Sequence, residues 1–204
     1  MKLTGRILHL VNDANTVGSQ LAGTDFDGEN SDYVYGVNTD AMISGRACTL
    51  GYTPEILGPW FLHNFLDIVD EGAVQSGGFQ VVVGGHAYGS GSSREVAVVA
   101  HQGAGIELVV ADSFQRIFQE NMVYSGMPFT TDKGVVTRLE AGEEIDVTDF
   151  STALPTFFRA VAEAGGLMPY GTGLLAGDIQ PCYAVEVSPR PMNIAEKIIA
   201  NLVW

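Results

Sequence analysis

The chain has 204 residues, enough for one domain of moderate size, and its 46% hydrophobic against 17% charged residues favour a packed core over long disordered stretches. A net charge of −14 argues against a nucleic-acid partner, since no basic patch offsets phosphate repulsion; an anionic metabolite would need a local cluster of donors. Cys48 and Cys182 lie far apart without C-x-x-C spacing, so neither a disulfide framework nor a self-contained zinc or iron–sulfur site is expected.

No apolar run approaches the ~18 residues of a membrane span, and the first residues lack a signal-peptide core. A soluble cytoplasmic protein without membrane contact is expected. Residues 3–11 read as a first strand, with His9 as a surface or satisfied strand histidine. Residues 12–38 are polar and glycine-rich and read as a solvated loop; Asp25, Asp27, Glu29 and Asp32 cluster there but miss the spacing of a calcium loop. Asn38-Thr39-Asp40 is turn chemistry, followed by a short apolar step to Arg46. Thr53 and Pro54 suit a helix start, and Ile56, Leu57, Trp60, Phe61, Phe65 and Ile68 at helical spacing carry that helix to about Val69, with His63 on it as a structural or surface residue.

Phe79–Val83 is an apolar strand of the buried type. A glycine-rich turn and a helix over 96–102 follow, then a strand over Ile106–Ala111. Asp112 and Gln115 read as a capping box for a helix carrying Phe114, Ile117, Phe118 and Met122, and an extended segment begins at Met127. This strand–helix–strand–helix–strand order predicts an α/β core with parallel crossovers. Beyond it, a strand over Glu143–Val147, a helix over Pro155–Ala164, a glycine-rich loop over Gly165–Gly177 and a strand over Cys182–Val187 are expected. After Pro189-Arg190-Pro191, residues 192–204 form an amphipathic pattern with Ile194, Ile198, Ile199 and Leu202 on one side. The chain therefore divides into 1–188 and a linker plus helix over 189–204.

The chemistry concentrates in Gly84-Gly85-His86-Ala87-Tyr88-Gly89-Ser90-Gly91-Ser92-Ser93-Arg94-Glu95. No lysine makes it a Walker A loop, Arg94 stands where a dinucleotide fingerprint needs glycine, and no serine has the flanks of a nucleophile elbow. What remains is a carboxylate or phosphate cradle: glycines for close backbone approach, two hydroxyls, a planar arginine fork and a helix N-terminus. The alternative is a plain helix cap, with Ser92 as N-cap and Glu95 reaching back. Such a cap needs neither Gly89-Ser90-Gly91 nor a first-turn arginine, which the helix dipole disfavours.

Gly89 to Glu95, then Ala111-Asp112-Ser113-Phe114-x-x-Ile117-Phe118-x-x-Asn121, resembles the small subunit of 3-isopropylmalate dehydratase and the swivelling β/β/α domain of the aconitase superfamily. Asn38 to Arg46 is similar to that family's Asp-Thr-Asp-x-Ile-Ile-Pro-x-Arg element. The resemblance implies a hydro-lyase or isomerase component acting on a hydroxy di- or tricarboxylate such as isopropylmalate. It implies a [4Fe–4S] cluster, held by a separate large domain or subunit, that binds the substrate hydroxyl as a Lewis acid, so this chain would be inactive alone. By position Ser92 would be the base. Ser93, Arg94, Gly91, Arg46, Thr39 and Asp40 would bind substrate, Arg46 more weakly. Val96 replaces the family's usual histidine, Asn38 an aspartate and Ser44 a proline. The segment over 47–52, where the family's substrate-selecting loop would lie, has no arginine to take a further distal carboxylate. Met192 to Ile198 resembles the opening of the large subunit, as in a fused enzyme. A non-catalytic carboxylate-binding or regulatory domain on the same scaffold remains the alternative.

Overall fold

A computed structural model of the chain describes residues 2–3, 5–28, 32–146 and 150–182, with 193, 194 and 197. The elements run β1 (Lys2–Leu3), β2 (Arg6–His9), α1 (Ala14–Leu21), α2 (Thr39–Met42), α3 (Pro54–Leu57), α4 (Ala73–Ser76), β3 (Phe79–Gly84), α5 (Glu95–Gly103), β4 (Leu108–Ala111), α6 (Arg116–Tyr124), β5 (Phe129–Thr130), α7 (Gly134–Glu140), β6 (Ile145–Asp146), α8 (Thr156–Glu163) and α9 (Leu167–Ala176).

Strands β2-β3-β4-β5 form one parallel sheet in that order, and β1 pairs antiparallel with β6. The expected α/β core with parallel crossovers is therefore present. The apolar runs of β3 and β4 have no polar alternation because both faces are covered. Val82 and Val109 face one core with Val98 and Ala100 of α5 and Phe118 and Met122 of α6. Val81, Val83, Leu108 and Val110 face the other, with Leu3, Ile145 and Val135 and Val136 of α7. A satellite cluster joins α6, α8 and α9 through Val123, Val161 and Tyr170.

Residues 12–38 are not simply loop, because they contain α1. Asp13 caps it by accepting from the amides of Asn15 and Thr16. Its apolar stripe is too short to stand out in the sequence; it buries Val17 and Gln20. Gln20 serves the sheet edge. Its amide accepts from His9 N–H at 2.8 Å and donates to His9 O at 3.0 Å. The backbone groups of His9 on edge strand β2 are thus satisfied by a side chain rather than by another strand. His9 is buried, as a satisfied strand histidine, with Nδ1 2.9 Å from Tyr33 Oη.

The single helix expected over 53–69 breaks into α3 and short 3₁₀ turns at Gly58–Trp60 and Phe65–Asp67. Leu62, Asn64, Leu66 and Asp67 have φ between 52° and 66°. Cross-chain bonds hold this path: Leu62 N–H to Met42 O at 2.9 Å and Asn64 N–H to Val69 O at 2.8 Å. The segment also presses on α5 backbone to backbone, since a Cβ on Gly58 would lie 2.3 Å from the carbonyl of Gly103. Of the apolar residues at that spacing, Leu57, Phe61 and Phe65 are buried, by an irregular chain wrapped on α5, whereas Trp60 is half-buried and Ile56 and Ile68 are exposed.

The loop expected over 165–177 is instead α9, whose Pro169 falls in the first turn, where a missing N–H costs nothing. Tyr170 buries one side of it. The strand expected over Cys182–Val187 and the helix over 192–204 lie mainly outside the described residues, as does the 188/189 boundary.

Two buried histidines tie core elements together. Tyr88 is fully buried with its Oη 2.8 Å from His101 Nε2, and His101 Nδ1 lies 2.7 Å from Ala97 O. A carbonyl only accepts, so Nδ1 carries the proton and Nε2 accepts from the tyrosine hydroxyl. Burial lowers His101 to about 4, and burial with the nearby Lys133 charge lowers His9 to about 4. Both stay neutral in the fold but take up protons when unfolded below about pH 6.5. The native state therefore binds fewer protons, and stability present above pH 6.5 drains away as pH falls towards 4. Denaturant titrations should show each histidine removing up to about 1.4 kcal/mol per pH unit in that window; His101→Gln should flatten its share of the slope. Tyr88→Phe leaves Nε2 buried without a donor and should cost about 1–3 kcal/mol at pH 7, read from the denaturation midpoint.

Candidate active site

The turn after β3 is clamped from two sides. On one, Tyr88 N–H donates to Ser113 O and Gln115 N–H to Tyr88 O, both at 2.9 Å, while Ala87 N–H donates to Ser113 Oγ at 2.9 Å. On the other, Gly89 N–H donates to Val37 O at 2.9 Å, Thr39 N–H to Ser90 O at 2.8 Å and Ser90 Oγ to Gly36 O at 2.9 Å. The turn is thus threaded between the α2 segment and the β4–α6 connection, at the carboxyl end of the sheet where open α/β folds place ligands. Gly89 and Gly91 are required there. Their φ values are 80° and 95°, and a Cβ on Gly89 would lie 2.1 Å from Phe118 Cγ.

The plain-cap alternative does not form. Arg94, not Ser92, is the N-cap of α5, and its side chain makes no capping bond. Ser92 faces α2 instead. Its carbonyl accepts from Thr39 Oγ1 at 3.0 Å, and its Oγ lies 3.3 Å from the same Thr39 oxygen. Thr39 is buried, whereas Ser92 and Ser93 are exposed. The second expected capping box is also absent. Gln115 is the N-cap of α6, without a side-chain bond, and Asp112 pairs with Lys133 Nζ at 2.7 Å.

Arg94 reaches back across α2. Nη2 pairs with Asp40 Oδ1 at 2.5 Å and Nη1 donates to Ile43 O at 3.0 Å. Asn38 caps α2 by accepting from Ala41 N–H at 2.8 Å. The structure therefore brings Thr39, Asp40, Gly91, Ser92 and Arg94 together, with Ser93 beside them. Arg46 is exposed at the start of the 3₁₀ turn Ala47–Thr49, and its guanidinium makes no ion pair with the described residues.

Ser92, Ser93 and Arg94 form one wall of a cleft of about 440 Å³. The opposite wall is the first turns of α6, with Arg116, Ile117, Phe118 and Asn121. The motif pattern pointed to Asn121 without giving it a task. Arg116 sits at a position the motif leaves open, so only the packing of α6 against the turn reveals it. A site built this way suits an anion: two arginines, hydroxyls, an amide and two helix N-termini without side-chain caps.

Among the described residues no group of three or more histidine, cysteine or acidic side chains could hold a metal ion. Cys48 and Cys182 are free thiols, and Cys182 Sγ is contacted by Tyr170 Oη at 3.4 Å. No helix among the described residues is long and apolar enough to cross a membrane.

Comparison with known proteins agrees with this architecture. The Aconitase C-terminal domain family matches residues 64–133, which include the turn, α5 and α6. The isopropylmalate/citramalate isomerase small subunit of Methanocaldococcus jannaschii is 38% identical over 149 residues, covering 66% of this chain and 86% of that protein. The 3-isopropylmalate dehydratase small subunit of Halothermothrix orenii is 33% identical over 146 residues, covering 65% of this chain and 86% of its own length. The crystal structure of a 3-isopropylmalate dehydratase from M. jannaschii superposes with a TM-score of 0.50 at 28% identity, over 71% of this chain and 92% of that one. Shared length, shared fold and the glycine-rich turn at the mouth of the cleft lead to one assignment: the chain belongs to the 3-isopropylmalate dehydratase small-subunit family, within the aconitase superfamily.

Proposed function

We propose that this chain, as the small component of a two-part hydro-lyase, works on a hydroxy dicarboxylate of the isopropylmalate type and supplies Ser92 as the base. The observation that carries the reading is the state of Ser92. Its hydroxyl stands exposed at the cleft, is not spent on capping α5, and has one close oxygen partner, Thr39 Oγ1 at 3.3 Å. The [4Fe–4S] cluster that aconitase-type enzymes carry on the large partner would supply the Lewis acid; among the described residues of this chain no group of side chains could hold a metal ion.

In the forward direction Ser92 Oγ takes the proton from the carbon next to a substrate carboxylate. The electron pair of that C–H bond becomes the carbon–carbon double bond as the hydroxyl leaves the adjacent carbon. Return of water with the hydroxyl on the other carbon completes an isomerisation. The base must be an alkoxide when it acts, and three features favour it. Thr39 donates its single hydroxyl proton to Ser92 O at 3.0 Å, and a rotation towards Ser92 Oγ would redirect it to the alkoxide. The opening amides of α5 and the positive end of its dipole lie next in sequence. The Arg94 guanidinium adds a fixed positive charge in a site that partner closure would dry.

Arg94 and Ser93, with the Gly91 backbone, then hold a substrate carboxylate. Asp40, an anion, would repel that carboxylate; it contributes by fixing one edge of Arg94 so that the remaining donors face the cleft. Arg46 stands by as a rim cation.

In the enzyme assembled with its large subunit under anaerobic, reducing conditions, Ser92→Ala should lower kcat by about 10²–10⁴-fold and move KM little. Turnover retained in Ser92→Ala would remove the serine from its role; carboxylate binding by the isolated chain with no turnover in any assembly would favour a binding module. Asp40→Asn should raise KM several-fold, with a smaller fall in kcat, because Arg94 loses its anchor but keeps its charge.

A further inference from the structure

A substrate of this class carries at least two carboxylates, and Arg94 cannot serve both. Two of its nitrogens are already committed, to Asp40 Oδ1 and Ile43 O. Its charge is also matched by the Asp40 carboxylate. In a chain of net charge −14, the cleft needs a second local cation to attract a dianion.

The opposite wall provides one. Arg116 opens α6 and lines the same cleft as Ser92 and Ser93. Its side chain is 88% exposed and held by a single ion pair, Nε to Glu120 Oε1 at 2.9 Å, one turn further along the helix. The outer edge of the guanidinium is left for a ligand. Asn121 supplies an amide from the same helix, and Ile117, 51% exposed, adds an apolar surface to the cleft.

Resting on the active-site reading above, we propose that Arg116 is a substrate-binding residue that takes the second carboxylate, the one not held by Arg94. Glu120 acts as its intramolecular competitor, occupying the guanidinium until substrate arrives. Ile117 lies where an alkyl substituent carried between the two carboxylates would rest.

The two partners of the Arg116–Glu120 pair make the test decisive. Both Arg116→Ala and Glu120→Gln break the same ion pair, so a purely structural role would move both variants in the same direction. Steady-state kinetics of the enzyme assembled with its large subunit, using 3-isopropylmalate, should instead show opposite shifts. Arg116→Ala should raise KM about tenfold or more with kcat nearly unchanged. Glu120→Gln should lower KM a few-fold, and Arg116→Lys should recover part of the loss. Equal KM values in all three variants, or a rise in both Arg116→Ala and Glu120→Gln, would overturn the proposal, as would an effect seen with Arg46→Ala in place of Arg116→Ala. Ser92→Ala in the same assembly separates the two levels. Its inactivity with an unmoved Arg116→Ala refutes only the carboxylate assignment, whereas its full activity refutes the site itself.

Discussion

The glycine-rich turn after β3 is fixed by main-chain hydrogen bonds to two segments remote in sequence, and the reactive groups take their positions from that clamp. Gly89 N–H reaches Val37 O and Thr39 N–H reaches Ser90 O on one side, while Tyr88 exchanges bonds with Ser113 and Gln115 on the other. These bonds require a chain that can turn with positive φ against the Phe118 ring, which restricts Gly89 to glycine. Because the turn sits at the end of a sheet buried on both faces, small movements of it would have to push on a packed core. Rigidity is what a proton-transfer site needs, since misplacement by an ångström costs rate steeply.

The same clamp divides labour among the polar residues. Tyr88 and His101 form a buried, neutral pair that joins the turn to the helix it leads into. Thr39, buried, presents one oxygen to Ser92 and completes the wall behind it. Asp40 and the Ile43 carbonyl spend part of the Arg94 fork on holding α2 to the turn. Ser92 and Ser93 are left exposed at the cleft, facing a helix whose own N-terminus is uncapped. An acidic protein can in this way keep donors for an anion in one cleft, two arginines and two helix N-termini acting over a few ångströms, although each arginine also faces a carboxylate.

Among the described residues no cluster of ligating side chains occurs. In the function proposed above, the reaction would be divided between a base on this chain and a Lewis acid on a large partner.

The sequence by itself determined the parallel α/β core, because uninterrupted valine runs followed by glycine-rich turns and helices have few other solutions. It also located Ser92, Arg94 and the Asn38–Arg46 element, whose residue types carry their chemistry with them. Where local pattern was read without its surroundings, it misled. The apolar spacing of 56–68 matched a helix, but backbone contact between Gly58 and Gly103 and bonds to Met42 bent it into short turns. Ser92 and Glu95 had capping-box spacing, yet the clamp turned the Ser92 carbonyl to Thr39 and moved the helix start to Glu95. Glycines hid α9 and a short apolar stripe hid α1, because tertiary burial of Tyr170 and Gln20 supplied what propensity did not. Only the tertiary structure put Arg116 and Asn121 opposite Ser92, since the approach of two helix N-termini depends on how α6 packs against the turn and leaves no mark in the spacing of residues along either one.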